Sequence, residues 1–178
     1  MKKIIAVFSG NRAEYGLIKP VISSINNSKN FEYKLIISGA HLDKEFGSTI
    51  NEIQKDGFKI YEKIQVDKYV SSVDYTPLSI SNIVDKLSKI LIKLKPHYFM
   101  VYADRFEGFA AIITSSQMSI PTIHLEGGDI TEGGALDDSV RHAMTKLSHL
   151  HFTSNKKASQ KIISMGEEKW RVRNVGFT

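Results

Sequence analysis

The chain has no cysteine among its 178 residues. That excludes a disulfide framework and a cysteine-ligated zinc site, and it suits a reducing compartment. Long apolar runs are also missing. Met1-Lys2-Lys3-Ile4 leads into a strand-like run that stops at Ser9-Gly10, too soon for a signal peptide and far too soon for a bilayer span. A cytoplasmic protein without membrane attachment is expected. There is no internal repeat and no low-complexity stretch. The net charge of +5 suits an anionic ligand such as a nucleotide. The lysines are scattered, however: Lys55, Lys59, Lys63, Lys86, Lys89, Lys93 and Lys95 lie on or beside helix faces without interleaved aromatics. They describe a solvated surface, not a nucleic-acid footprint. What is present, 42% hydrophobic and 24% charged residues, is enough for one domain with a good core and too little for two large ones.

Strand and helix patterns alternate along the chain. Continuous apolar runs such as Ile4-Ile5-Ala6-Val7-Phe8 suit strands covered on both faces. Further strands are expected at Tyr33–Ile37, Phe58–Ile64, Tyr98–Tyr102, Thr122–Leu125, His149–Thr153 and Trp170–Val175. Helices are expected at about Glu14–Asn27, Asp43–Lys55, Ile80–Leu94 and Phe106–Met118, after Asp137, and at Asn155–Met165 with Ser154 as its cap. Ile80, Ile83, Val84, Leu87, Ile90, Leu91 and Leu94 mark one buried helical face. Asp67–Pro77 reads as a long polar loop. Alternation of this kind predicts an α/β fold, a Rossmann-like three-layer parallel sheet with helices on both faces, formed by residues 1–178 as a single domain.

Chemistry-bearing residues collect where strands end. The first strand-to-helix turn, Ser9-Gly10-Asn11-Arg12-Ala13-Glu14-Tyr15-Gly16, offers backbone N–H groups and a helix N-terminus to an anion, with Arg12 as a possible bidentate partner. It has neither the three-glycine dinucleotide spacing nor a P-loop Gly-Lys-Ser/Thr, so a plain turn with a surface arginine remains an equal reading. Asp104-Arg105 follows the fourth strand, where capping the next helix is the commoner duty of an aspartate. Glu126 ends the fifth strand and precedes Gly127-Gly128, so it caps no adjacent helix and is a candidate general base. His124 lies two residues earlier on the same face, where a satisfied core histidine is the simpler reading. Asp137 and Asp138 open a helix. There they favour the dipole, and helical spacing pairs them with Arg141 and His142. His41 joins the same sheet edge after Ser38-Gly39-Ala40. A metal held by His41, His124 and the acids has no supporting ligand spacing, and none is expected.

At these motifs the sequence resembles the UDP-N-acetylglucosamine 2-epimerase family, closest to the hydrolysing branch that forms N-acetylmannosamine for sialic-acid-type sugars. The resemblance runs along nearly the whole chain. It is carried by Gly10-Asn11-Arg12-Ala13-Glu14-Tyr15-Gly16, Gly39-Ala40-His41-Leu42 with Phe46-Gly47-Ser48-Thr49, Asp104-Arg105-Phe106, His124-Leu125-Glu126-Gly127-Gly128-Asp129 and the stretch from Leu136 to His149. It implies the N-terminal half of a glycosyltransferase-B fold. The family chain crosses to a second, UDP-binding half near Asn174-Val175-Gly176-Phe177-Thr178, and that half supplies a further histidine. The resemblance assigns acid/base work to Asp104, Glu126 and Asp137, and substrate binding to Arg12, His41, Arg105, His124 and Asp138, with Arg12 near the diphosphate. It implies a UDP- or GDP-linked amino sugar as ligand, no cofactor, no metal, and a homodimer when full length. Two positions depart from the family: Ala103 stands where glycine is frequent, and Leu17 where some members have lysine. Two other readings stay open: a sugar transferase of the same fold, and a non-catalytic binding or assembly module.

Overall fold

The computed structural model describes residues 1–42, 49–66, 72–131 and 136–177. Among the described residues, seven strands form one parallel sheet: β1 (Lys3–Ser9), β2 (Phe31–Ser38), β3 (Ile60–Ile64), β4 (Tyr98–Tyr102), β5 (Thr122–Leu125), β6 (Leu150–Thr153) and β7 (Val172–Asn174). Their order across the sheet is β3-β2-β1-β4-β5-β6-β7, all pairs parallel. The helices are α1 (Arg12–Asn26), α2 (Ile50–Lys55), α3 (Ser72–Leu94), α4 (Phe106–Gln117), α5 (Leu136–Lys146) and α6 (Lys156–Ser164). This is the expected doubly wound α/β arrangement.

The strand period of two explains the layers. In β1, Ala6 and Phe8 join one apolar cluster with Ile83, Leu87 and Leu91 of α3 and Ala110, Ala111 and Ile112 of α4. Ile5 and Val7 point the other way, into a cluster with Tyr15, Ile18, Ile22 and Ile25 of α1 and Ile53 of α2. Central strands must therefore be apolar on both faces, which is why β1 and β4 read as unbroken hydrophobic runs. Among the described residues, no helix is long and apolar enough to cross a membrane.

Several boundaries differ from expectation for identifiable reasons. Helix α3 starts at Ser72, so residues 72–77 are helical and not loop. Pro77 lies near the start of this helix and forfeits only the one bond it would donate to residue 73. Pro20 likewise sits inside α1. Helix α6 is capped by Asn155, whose side chain accepts from Ala158 N at 2.9 Å, and not by Ser154. The first turn of the expected Trp170–Val175 strand is a 3₁₀ turn, Lys169–Arg171. Part of the helix expected over Asp43–Lys55 lies outside the described residues, and α2 is its observed end. The inner side of α5 is mixed: Met144 joins the apolar core with Val140 and Leu147 packed against it, and Asp138, Arg141 and Thr145 are buried beside it.

The order β3-β2-β1-β4 has one further consequence. The chain leaves β1 toward β2 and β3, then returns to β4 on the opposite side. The helices that follow β1 and β4 therefore pack on opposite faces of the sheet, which makes the carboxyl ends of these two strands the topological switch point, the place where open α/β sheets bind ligands.

A carboxylate-lined site at the carboxyl edge of the sheet

The two acidic loops leave the sheet in the same way. Strands β4 and β5 are in register at Tyr102 and Leu125, and the next residue of each, Ala103 and Glu126, has positive φ (53° and 56°). Ala103 N donates to Leu125 O at 3.0 Å and Glu126 N to Phe152 O at 2.8 Å, so each loop stays fastened to the neighbouring strand as it turns. A left-handed conformation costs a residue with a Cβ about 1–2 kcal/mol. The glycine that the family resemblance puts at position 103 would avoid that cost. Ala103→Gly is expected to stabilise the chain by roughly 0.5–1 kcal/mol after the added freedom of the unfolded state is counted, seen as a higher urea midpoint with unchanged slope.

Glu126 is half-buried. Its Oε2 accepts the Tyr102 hydroxyl at 2.5 Å, and its Oε1 is buried with no hydrogen-bond partner among the described residues. Gly127 and Gly128 both allow close approach. A Cβ on Gly127 would meet His124 Nδ1 at 2.7 Å, and one on Gly128, at φ 82°, would meet Ala158 O at 2.5 Å.

Asp104 does not cap α4. The N-cap is Arg105, without a side-chain cap bond, and Asp104 is instead paired with Arg141 Nη2. Arg141 Nη1 also donates to Asp138 Oδ1 at 3.1 Å and to the Asp129 carbonyl at 2.9 Å. The expected Asp137–Arg141 pair is thus replaced by Asp138–Arg141, because Asp138 faces inward on α5 and Asp137 faces out. Nor does Asp138 hydrogen-bond His142. It accepts from Thr131 N at 2.9 and 3.2 Å, and that backbone bond, followed by the Thr131 side chain and then the Arg141 charge, holds its carboxyl below the usual range against burial. Arg141 therefore ties β4, the Asp129 loop and α5 together.

Both candidate histidines lie inside. His41 is fully buried with Nε2 2.8 Å from Ser9 Oγ. His124 is fully buried between the Ala103 carbonyl (2.6 Å from Nε2) and Thr145 Oγ1 (3.2 Å from Nδ1). The direct ligand contact expected of His124 is not available, since both ring nitrogens are occupied by the protein. It braces the Ala103 turn from beneath. Among the described residues no three His, Asp or Glu side chains converge as a metal site requires.

Arg12 is exposed at the start of α1 and pairs with Glu52 at 2.8 Å. Arg105 is half-exposed and makes two 3.2 Å bonds to the buried carboxylate of Glu107. The charges of Glu107, Glu14 and Asp137 stabilise its cationic form against the opposing effect of burial. The sequence reading missed two residues here, Tyr102 and Glu107. Tyr102 looked like one more apolar strand residue, and Glu107 like an ordinary acid favouring a helix dipole. Glu14, three residues after the Asn11 N-cap, could have been read as a capping box. Its carboxylate does reach back, to Gly10 N at 2.7 Å.

Burial gives the site a pH signature. His41 and His124 are held down to about 4, mainly by burial. The unfolded chain then binds more protons between about 4 and 6.5, and stability falls as pH drops through that window. Glu14 is pushed up to about 8 by burial. Here the folded chain binds more protons, and stability falls as pH rises from about 4.5 to 8. The two histidines outweigh the glutamate below pH 6.5, with His142 and His151, also lowered chiefly by burial, adding to their side, and of the histidines and Glu14 only Glu14 acts between about 6.5 and 8. Urea denaturation is expected to show greatest stability near pH 6.5, with slopes of about 1.4 kcal/mol per pH unit for each uncompensated proton.

Fold and site together define a class: a Rossmann-like domain of glycosyltransferase-B type whose sheet edge carries carboxylates and arginines. The family profile described as UDP-N-acetylglucosamine 2-epimerase matches residues 23–178. The GDP/UDP-N,N'-diacetylbacillosamine 2-epimerase (hydrolyzing) of Campylobacter jejuni is 37% identical over 179 residues, covering 98% of this chain and 45% of the relative. The UDP-N,N'-diacetylbacillosamine 2-epimerase (hydrolyzing) of Legionella pneumophila is 34% identical over 176 residues, covering 99% and 46%. The crystal structure of the UDP-GlcNAc 2-epimerase of Neisseria meningitidis bound to UDP-GlcNAc superposes with a TM-score of 0.86 at 22% identity, covering 98% of this chain and 46% of that one. The chain belongs to the UDP-N-acetylglucosamine 2-epimerase family. It spans about half the length of the curated relatives it matches.

Proposed function

We propose that this chain is the N-terminal half of a hydrolysing 2-epimerase that acts on a UDP-linked 2-acetamido sugar such as UDP-N-acetylglucosamine. The observation that supports the reading is the pair of left-handed strand exits at Ala103 and Glu126, which put Asp104 and Glu126 on neighbouring loops at the sheet's carboxyl edge. In the reaction a carboxylate takes the C2 proton while the C1–O bond breaks and UDP departs with the bonding pair, giving a 2-acetamidoglucal. Water then adds across the double bond, its hydroxyl to C1 and a proton to C2 from the opposite face. Asp104, Glu126 and Asp137 share this acid/base work, while Arg12 and Arg105 bind near the diphosphate and Asp138 holds the α5 end of the site. No cofactor or metal takes part. The reading includes a cytoplasmic setting, in keeping with a cysteine-free chain, and a homodimer when both halves are present.

A 2,4-diacetamido-6-deoxy sugar is the second reading. Its support is that the relatives at 37% and 34% identity are named for N,N'-diacetylbacillosamine. Coupled measurement of UDP release from each nucleotide sugar separates the two. The test is run on this chain alone and on a protein carrying a second Rossmann-like half. The 178-residue chain alone is expected to turn over little or no substrate, because one wall of a cleft cannot position it. With the second half present, solvent deuterium should appear at C2. Release of UDP without deuterium at C2 would point to simple transfer or hydrolysis and defeat the proposal.

A further inference from the structure

Two buried carboxyl groups at the switch point play no part in the chemistry above. Glu14 comes from the first turn of α1 and Glu107 from the first turn of α4, and they are 5% and 2% exposed. Both press on the loop after β1. Glu14 Oε2 accepts Gly10 N at 2.7 Å. A Cβ on Gly10 would lie 2.8 Å from Glu107 Cβ, and one on Gly39 3.0 Å from Glu107 Oε1. The loops after β1 and β2 are thus moulded on Glu107, and only glycine lets them come so close.

The same carboxylate takes Arg105 Nε and Nη2, one on each oxygen. A fork-to-fork pair fixes the plane of a guanidinium as well as its position. It leaves Nη1 of the half-exposed Arg105 for solvent or a ligand. Glu14 Oε1 is buried without a hydrogen-bond partner among the described residues. The charged groups that act on Glu14 are Glu107 and Arg105, both from α4. His41, on the Ser9 hydroxyl and edge-on to Tyr15, is neutral. Two carboxyl groups near one guanidinium balance if Glu14, the one without a cationic hydrogen-bond partner, is the neutral member.

We infer that Glu107 is a positioning residue which, packed with Glu14 against the loops after β1 and β2, aims Arg105 and the Gly10 turn at the phosphates of an anionic ligand. This rests on the proposed function for the ligand's identity but not for the existence of the device. Burial, which pushes Glu14 up to about 8, agrees with the neutral form at physiological pH. Ionisation of Glu14 then sets two like charges beside Gly10 and loosens the turn.

The test uses NMR of this chain, with glutamate carboxyl carbons and arginine Nε labelled, and two probes: inorganic pyrophosphate and UDP-N-acetylglucosamine. In the native chain Arg105 Nε–H should exchange slowly, Glu14 should titrate near pH 8, and pyrophosphate should shift the Gly10 and Arg105 signals. Glu107→Gln should free Arg105 Nε–H to exchange as an exposed group, lower the Glu14 midpoint, and weaken pyrophosphate binding about tenfold or more. Arg105→Lys, which keeps the charge but cannot form the fork, should weaken it similarly without disturbing the buried pair. Glu14→Gln should remove the alkaline loss of binding near pH 8. A purely structural Glu107 would lower Tm and leave Kd unchanged. Unchanged Kd and unchanged Arg105 exchange in Glu107→Gln overturn the inference, as does a native chain that binds no pyrophosphate at this turn. Binding of pyrophosphate with no added affinity for UDP-N-acetylglucosamine in the protein with both halves supports the positioning device and counts against the proposed function.

Discussion

Glu126→Gln, in the protein carrying both halves of the cleft, is expected to lower kcat for UDP release by about 10²–10⁴-fold, the range for loss of a positioned acid or base. The fold should survive. Glutamine has the same length, its carbonyl can accept the Tyr102 hydroxyl where Oε2 now does at 2.5 Å, and its amide can occupy the unpartnered Oε1 position. KM should change little, because the contact removed serves proton transfer more than ground-state binding. The measurement is a steady-state UDP-release assay beside a thermal melt. A variant that melts normally and keeps more than a tenth of native turnover would show that Glu126 is not an acid/base group of the reaction.

Arg141→Ala is expected to be the most disruptive single change at the site. The guanidinium is 10% exposed and its partners Asp104 and Asp138 are 19% and 13% exposed. Removing one side of a largely buried pair leaves the carboxylates facing each other without a cation, a loss of roughly 3 kcal/mol. For a chain of this size that lowers Tm by about 6–12 °C. Arg141→Met fills the same space without the charge and should fare little better. Adding Asp104→Asn to Arg141→Ala should recover part of the loss, because one of the two uncompensated charges is then gone and Asp138 keeps its Thr131 N–H donor. Calorimetry of the four chains checks both points. An Arg141→Ala chain that melts within 2 °C of the native one would show that Arg141 does not hold these loops together.

The contrast between these two residues illustrates what could be read without coordinates. Strands β4 and β5 were legible to the residue, because a sheet covered on both faces favours short runs without exposed charge between polar turns, unbroken and apolar in β4 and interrupted only by Thr122 and the buried His124 in β5. The long face of α3 was legible from its spacing. Glu126 could be singled out because two glycines after a strand leave no helix for it to cap. Arg141 could not be placed correctly. Helical spacing offers it Asp137 at four residues and Asp138 at three, and only the rotation of α5 against β4 decides that Asp138 faces inward. Asp104, 37 positions away, enters through tertiary packing alone. Glu107 was hidden for a related reason. An acid in the first turn of a helix has a sufficient local explanation, and nothing local says that two glycines from other loops close over it. His124 went the other way: its local reading as a satisfied core histidine agrees with the Ala103 carbonyl and Thr145 hydroxyl on its two nitrogens, and it was the family resemblance that suggested ligand contact.

The strand order also decides how safely the domain can be handled on its own. The sheet ends in β3 on one side and β7 on the other, and an open edge can recruit a foreign strand. Here β3 carries Glu62 and Lys63 at exposed positions and β7 is only three residues long with an exposed Arg173. Short edges that carry charge oppose edge-to-edge growth, because an added strand would have to strip water from those groups. The chain therefore has built-in resistance to β-aggregation at both ends of its sheet. Neutralising Lys63 or Arg173 is the change most apt to turn a well-behaved sample into a fibril-forming one.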